Sequence, residues 1–308
     1  MAENKHIVVT GATGLIGRKI IKRLSERGDR VTALVRDVER GRRAAPGATD
    51  YLAWSSSMAD GPWATAIDGA DAVIHLAGSP VATRWSDEQK KRIRDSRVDG
   101  TRNVVAAIAR ASRKPAALVS ASAVGYYGTS NDRVFTEEAG PGKDFLADVC
   151  RAWEAEALEA EKLGVRVVRM RTGIVLDPED GALAKMAPTF RLFVGGPIAS
   201  GRQWFPWIHI TDEVEMFLWA LDNTTITGAI NGTAPGIVRN REFSSALGSA
   251  LHRPSLFPVP GFALHLIFGD GAMILTEGQH AIPERTEKLG YRFRFPKLPE
   301  ALHDLLGS

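Results

Sequence analysis

A single cysteine, Cys150, stands among the 308 residues. One thiol excludes an internal disulfide, offers no thiolate cluster for a metal and points to a reducing compartment. Long hydrophobic runs are also lacking. No stretch reaches the roughly 18 uncharged apolar residues that cross a bilayer. Met1-Ala2-Glu3-Asn4-Lys5 passes directly into a strand-like run and leaves no room for a signal peptide. The expectation is a cytoplasmic protein without a membrane partner or a bound metal. Neither sign of charge dominates: 39 Lys and Arg are scattered among 36 Asp and Glu, for a net charge of +3. Without a basic cluster, nucleic acid is not expected as a partner. What remains is an ordinary globular composition, 44% hydrophobic and 24% charged. A chain this long buries about 75% of its unfolded surface. It contains no internal repeat, low-complexity tract or long linker.

From residue 6 to about 170, short apolar runs alternate with longer amphipathic ones. His6–Thr10, Arg30–Val35, Ala72–Leu76, Ala116–Ala121 and Val165–Met170 are rich in Val, Ile, Leu and Ala, as strands buried on both faces require. Gly14–Arg27, Glu88–Ala111 and Asp144–Leu163 carry the helical patterns. In the first, Leu15, Ile16, Ile20, Ile21 and Leu24 share one face. Such alternation predicts an α/β fold with a Rossmann-type, doubly wound parallel sheet. After Arg171 the rhythm breaks and Gly and Pro become frequent. The expected organisation is a nucleotide-binding domain over residues 1–171 and a smaller, mixed, substrate-side region over 172–308. That boundary is soft, since one or two later strands could rejoin the sheet.

Thr10-Gly11-Ala12-Thr13-Gly14-Leu15-Ile16-Gly17 joins the first strand to the first helix. Gly11 permits the tight turn, Gly14 lets backbone approach a diphosphate, and Gly17 allows close packing of helix on sheet. Unpaired N–H groups of Thr13 through Ile16 would then receive the phosphates. About 20 residues on, where a ribose-reading side chain is expected, the strand tip is Arg36. A guanidinium there suits a 2′-phosphate and favours NADP(H) over NAD(H). Asp37 could instead contact a 2′-hydroxyl, and Arg36 could be merely solvated. His75-Leu76-Ala77-Gly78 places small residues at a strand's carboxyl edge, where a dinucleotide would cross. A simple strand-ending turn reads the same way. His75 itself fits a structural role better than a catalytic one.

Together these segments resemble the extended short-chain dehydrogenase/reductase superfamily. Trp153-Glu154-Ala155-Glu156-Ala157, Arg171-Thr172-Gly173-Ile174-Val175-Leu176, Gly201-Arg202-Gln203-Trp204-Phe205-Pro206-Trp207-Ile208-His209-Ile210 and Gly278-Gln279-His280-Ala281-Ile282-Pro283 narrow the resemblance. They look like its atypical "epimerase family protein" branch, the predicted nucleoside-diphosphate-sugar epimerases with a C-terminal domain of unknown function. The departure matters as much as the match. Ordinary members use Tyr-x-x-x-Lys, with the tyrosine as acid/base. Here the residues four positions after Tyr51, Tyr126, Tyr127 and Tyr291 are Ser55, Ser130, Asn131 and Phe295. None is lysine. By alignment through Glu154, Leu146 takes the tyrosine place and Cys150 the lysine place, while Arg97 fits the slot of the usual asparagine and could sit near phosphates.

Three groups could still handle a proton or a carbonyl. Ser122 holds the superfamily serine position, Tyr127 lies in the following loop, and Cys150 would need a cation to lower its pKa. The plainer readings are a capping serine, a packed tyrosine with one satisfied hydroxyl, and a small buried hydrophobe. Arg202, Gln203 and Trp204 resemble the segment that closes over substrate in extended relatives, offering an anion contact, hydroxyl contacts and ring stacking. A helix should begin near Thr211-Asp212, capped by Thr211, with His209 holding the junction. Two functions are open. One is an NADP(H)-dependent oxidoreductase or epimerase acting on a polar, nucleotide- or phosphate-bearing small molecule. The other is a non-catalytic NADP(H)-binding sensor or scaffold. The chain is expected to be a monomer or homodimer.

Overall fold

The computed structural model describes residues 4–307. Seven parallel strands form one sheet in the spatial order Gly228–Gly232, Arg166–Thr172, Ala117–Ala123, Ala72–His75, His6–Thr10, Arg30–Val35 and Asp50–Ala53. The order reverses on either side of His6–Thr10, so the carboxyl ends around that strand open a crevice. Pleating sorts the apolar residues. Ile7 and Val9 join Ile20, Ile21, Leu24 and Phe217 in one core, while Val8 faces Val73, Ile108, Leu118 and Trp63 in the other. Both faces are therefore covered, which is why these strands lack a polar alternation.

The strand Asp50–Ala53 carries too short an apolar run to stand out in sequence. It is held by Arg30–Val35 through the register Thr32 to Asp50 and Val35 to Ala53. The edge strand Gly228–Gly232 comes from beyond residue 171 and pairs with Arg166–Thr172. The nucleotide-binding sheet thus draws on the C-terminal part of the chain. A third core, containing Phe190, Phe205, Trp207, Phe243 and Phe295, packs the rest of that region.

Helix starts follow local chemistry. Ser86 accepts from the Gln89 amide at the head of Asp87–Arg110, and Asp144 accepts from Ala147 at the head of Phe145–Leu158. The later junction differs from the sequence expectation. The helix runs over Ile210–Asp222, and its cap is His209, whose Nδ1 accepts from the Thr211 amide at 3.0 Å. Thr211 is already inside the first turn and cannot cap it. His209 Nε2 lies 3.2 Å from Asp304, and its ring stacks on Phe295. Among the described residues, no helix is long and apolar enough to cross a membrane.

The same helix buries Glu213 completely. Its Oε1 accepts from the Thr172 hydroxyl at 2.6 Å, Oε2 has no partner, and burial pushes the carboxyl up to about 8 from 4.5. Because the folded pKa lies above the unfolded one, the folded state holds a proton that the unfolded state releases. Stability should therefore fall as pH rises from about 4.5 to about 8 and then level off. Glu213→Gln should flatten that part of the profile. Identical pH dependence of the melting temperature in both proteins would refute the assignment.

Candidate dinucleotide site and the buried network beside it

A cleft of about 720 Å³ opens at the carboxyl edge of the sheet. Gly11, Thr13 and Gly14 form one wall; Leu76, Ala77 and Gly78 form another; Arg36 and Arg40 stand at the far end. The loop's shape needs its glycines. Gly11 has φ +65°, and a Cβ there would lie 2.8 Å from the Leu76 carbonyl carbon. A Cβ on Gly17 would lie 2.4 Å from the Gly11 carbonyl oxygen, so helix and loop touch at this residue. Leu15 and Ile16 turn their side chains into the first core and leave only backbone for a ligand. The helix Leu15–Glu26 begins at Gly14 with no side-chain cap and no acid in its first turn. Its free amides and positive end are open to an anion.

Arg36 and Arg40 are both exposed. Arg40, on the helix Val38–Ala44, escaped the sequence reading, although its place one turn beyond the strand tip was the available signal. Asp37 is engaged differently from Arg36: its carboxylate caps that helix by accepting from the Arg40 amide at 2.8 Å. The far wall rests on a buried relay. Thr101 donates to the Arg97 carbonyl, so its oxygen accepts from His75 Nε2 at 3.0 Å. His75 Nδ1 then accepts from the Thr10 hydroxyl at 2.8 Å, whose oxygen in turn receives the Leu76 and Ala77 amides. Burial lowers the His75 pKa to about 4, so the ring is a neutral structural bridge.

Arg97 lies behind Gly78, where an added Cβ would come within 2.9 Å of its Cζ. Nη1 donates to the carbonyls of Ser79 (2.9 Å) and Ile93 (3.1 Å), and the guanidinium stands over Trp153 at 5.2 Å. Desolvation lowers its pKa. Among the described residues no carboxylate pairs with it.

Ser122, Tyr127 and Cys150 gather nearby, but the first two are committed to a buried network. Ser122 lies inside the strand Ala117–Ala123 and donates to Glu154 Oε1 at 2.7 Å. Glu154 also receives Arg171 at 2.8 and 2.9 Å and Arg169 at 2.7 Å. Arg171 Nη1 donates to the Tyr127 hydroxyl at 2.9 Å, which itself donates to Asn231 at 2.7 Å. Burial dominates over Arg171 and pushes the phenol up to about 12. Arg171 is thus an ion-pair partner in the core rather than a phosphate contact.

Cys150 is buried, and burial pushes its thiol up to about 12 despite the nearby Arg97. This corrects the notion of a cation-activated thiolate, because desolvation outweighs that one charge. Native protein should resist iodoacetamide near neutral pH and react only when unfolded. Rapid alkylation of the folded chain would contradict this.

The substrate-side trio is also rearranged. Gln203 Nε2 donates to the carbonyls of Ile198 (3.1 Å) and Leu275 (2.9 Å), pinning two loops. Trp204 is stacked on His280 at 3.9 Å and covered by Arg239 at 4.0 Å. With those contacts on its ring, it is not free to stack on a ligand, contrary to the sequence expectation. Arg202 remains exposed.

A doubly wound sheet with a glycine loop and an uncapped helix at its switch point defines a Rossmann-type dinucleotide-binding protein. The sequence matches the NAD dependent epimerase/dehydratase family over residues 7–231, and a domain of unknown function, DUF1731, over 259–305. The chain belongs to that epimerase/dehydratase family. It is 45% identical over 302 residues to the "Epimerase family protein SDR39U1 homolog, chloroplastic" of Arabidopsis thaliana, covering 97% of this chain and 86% of the relative. It is 35% identical to the "Epimerase family protein YfhF" of Bacillus subtilis, covering 98% of each. The crystal structure of human epimerase family protein SDR39U1 with NADPH superposes with a TM-score of 0.87 at 33% identity, over 98% of this chain and 99% of that one.

Proposed function

We propose that this protein binds NADP(H) in preference to NAD(H), in the cleft between the glycine loop and Ala77-Gly78. The observation that carries the reading is the pairing of Arg36 with Arg40 in the cleft wall while Asp37 is occupied as a helix cap. Two cations suit a 2′-phosphate, while Asp37, in the same cleft wall, already uses Oδ1 to cap the following helix. The residues fit the rest of the cofactor: uncapped amides of the Leu15 helix for the diphosphate, and small Ala77 and Gly78 where the chain would cross the sheet. The NADPH in the human relative's structure supports the same assignment.

When bound, the cofactor would supply or accept a hydride. Ser122 and Tyr127 orient and brace through Glu154 and Arg171, and neither they nor Cys150 reproduce a lysine-activated tyrosinate. We therefore read the chain first as a cytoplasmic NADP(H)-holding protein, monomer or homodimer. The second reading is an oxidoreductase or nucleotide-sugar epimerase of non-standard chemistry. Arg97 favours it, as a largely desolvated cation with no acid partner beside the cleft, suited to a phosphate-bearing small molecule. Oxidation of bound NADPH by carbonyl compounds or nucleotide sugars separates the two.

The cofactor reading is tested by Arg36→Ala. Loss of one charge-assisted contact, about 1–3 kcal/mol, should weaken NADPH roughly 5- to 150-fold and leave NADH nearly unchanged. Equal losses for both cofactors, or no loss, would overturn it.

A further inference from the structure

Two segments outside the cleft place apolar side chains in water. In the loop after Gly181–Arg191, Leu192 is 73% exposed; in the helix Gly261–Phe268, Phe262 and Leu266 are 71% and 72% exposed. Phe257 and Ile267 extend the same surface. The segments are stitched together: Phe257 donates to the Gly195 carbonyl, Val259 to Pro197, and Ala199 back to Val259. Among the described residues, the non-glycine positions with left-handed backbone are Phe193 and Ala199, in the first of these segments, and His252, in the turn that precedes the second. Such positions persist only where the surroundings enforce them. The surface is therefore a built element, and its exposed apolar residues are grouped along segments that hydrogen-bond to one another.

Its charge is one-sided. No aspartate or glutamate occurs between Asp180 and Asp212, nor between Glu242 and Asp270. The same segments carry Lys185, Arg191, Arg202 and Arg253, and none of these pairs with a carboxylate among the described residues. A second copy docked through a two-fold axis would set the unpaired cations of these segments against one another, the adjoining Asp270 being paired with Lys90. Phenylalanine and leucine flanked by Lys and Arg is instead the composition that settles into the headgroup region of an anionic bilayer.

We infer that this face is a peripheral docking surface for an anionic lipid bilayer. Among the described residues no helix is long and apolar enough to cross a membrane, and a surface contact needs none. The face is joined to the cofactor cleft: Arg84 Nη1 donates to the Leu266 carbonyl, the Trp85 amide donates to Phe268, and Ser79 and Pro80 of the same loop line the cleft. Docking would thus hold the cleft's rim beside the membrane.

The test is flotation of the full chain with phosphatidylcholine vesicles enriched in phosphatidylglycerol, against vesicles of phosphatidylcholine alone. The chain should float with the anionic vesicles and little with the neutral ones. Phe262→Ser with Leu266→Ser, and separately Lys185→Glu with Arg191→Glu, should each lower the partition coefficient at least about tenfold. Circular dichroism and NADPH titration should be unchanged in both, so a failure of docking is distinguishable from a failure of the cofactor reading. Four results would overturn the inference. These are no flotation, equal flotation on neutral vesicles, flotation that survives both substitutions, or a dimer or an acidic protein complex dissolved by the serine pair with no lipid binding.

Discussion

Replacing Glu154 with alanine is expected to cost about 3–5 kcal/mol of folding free energy, among the largest single effects in the molecule. Glu154 and Arg171 are each only 3% exposed, and the carboxylate is the acceptor for both Arg171 and Arg169. Removing it strands a guanidinium in the core and leaves the Ser122 hydroxyl without its acceptor. Glu154→Gln keeps one carbonyl oxygen for the two arginines and should fall between. Urea unfolding followed by circular dichroism reads both. A loss below about 1 kcal/mol in the alanine variant would mean that the pairing contributes little beyond an exposed surface ion pair.

The second large effect concerns ligand binding without loss of fold. Gly14 has φ −76°, which any residue adopts, and an added Cβ would sit 3.3 Å from the Gly11 carbonyl oxygen. Gly14→Val is therefore tolerable to the backbone with small adjustment. Its branched side chain would occupy the position where the diphosphate approaches the helix amides. Dinucleotide binding should be lost while the thermal transition remains cooperative. Normal binding by a folded Gly14→Val protein would mean that the loop holds something else.

These two sites were not equally legible in the sequence. The glycine loop is a local signal: its spacing, the strand before it and the helix after it lie within one continuous stretch, so its position followed from pattern alone. The strands His6–Thr10 and Arg30–Val35 were equally plain, being uninterrupted apolar runs between turn residues. Glu154 with Arg169 and Arg171 is a non-local arrangement. Two arginines at i and i+2 of a buried strand share one face, and a glutamate sits on a helix's apolar side. Only the packing of Phe145–Leu158 on that strand joins them. Once joined, they consume the hydroxyls that the sequence offers as catalytic groups. Trp204 departs from its expected stacking role for a similar reason, since Arg239 and His280 reach its ring from distant parts of the chain. Arg40 could have been found, because a helix following the strand tip brings its first turn back over the same corner.

The most direct test of the cofactor assignment is titration of the unmodified protein with NADPH and with NADH at equal ionic strength, followed by cofactor fluorescence. Arg36 and Arg40 on the cleft wall predict tighter binding of NADPH, by on the order of tenfold or more. Equal affinities, or tighter binding of NADH, would contradict it.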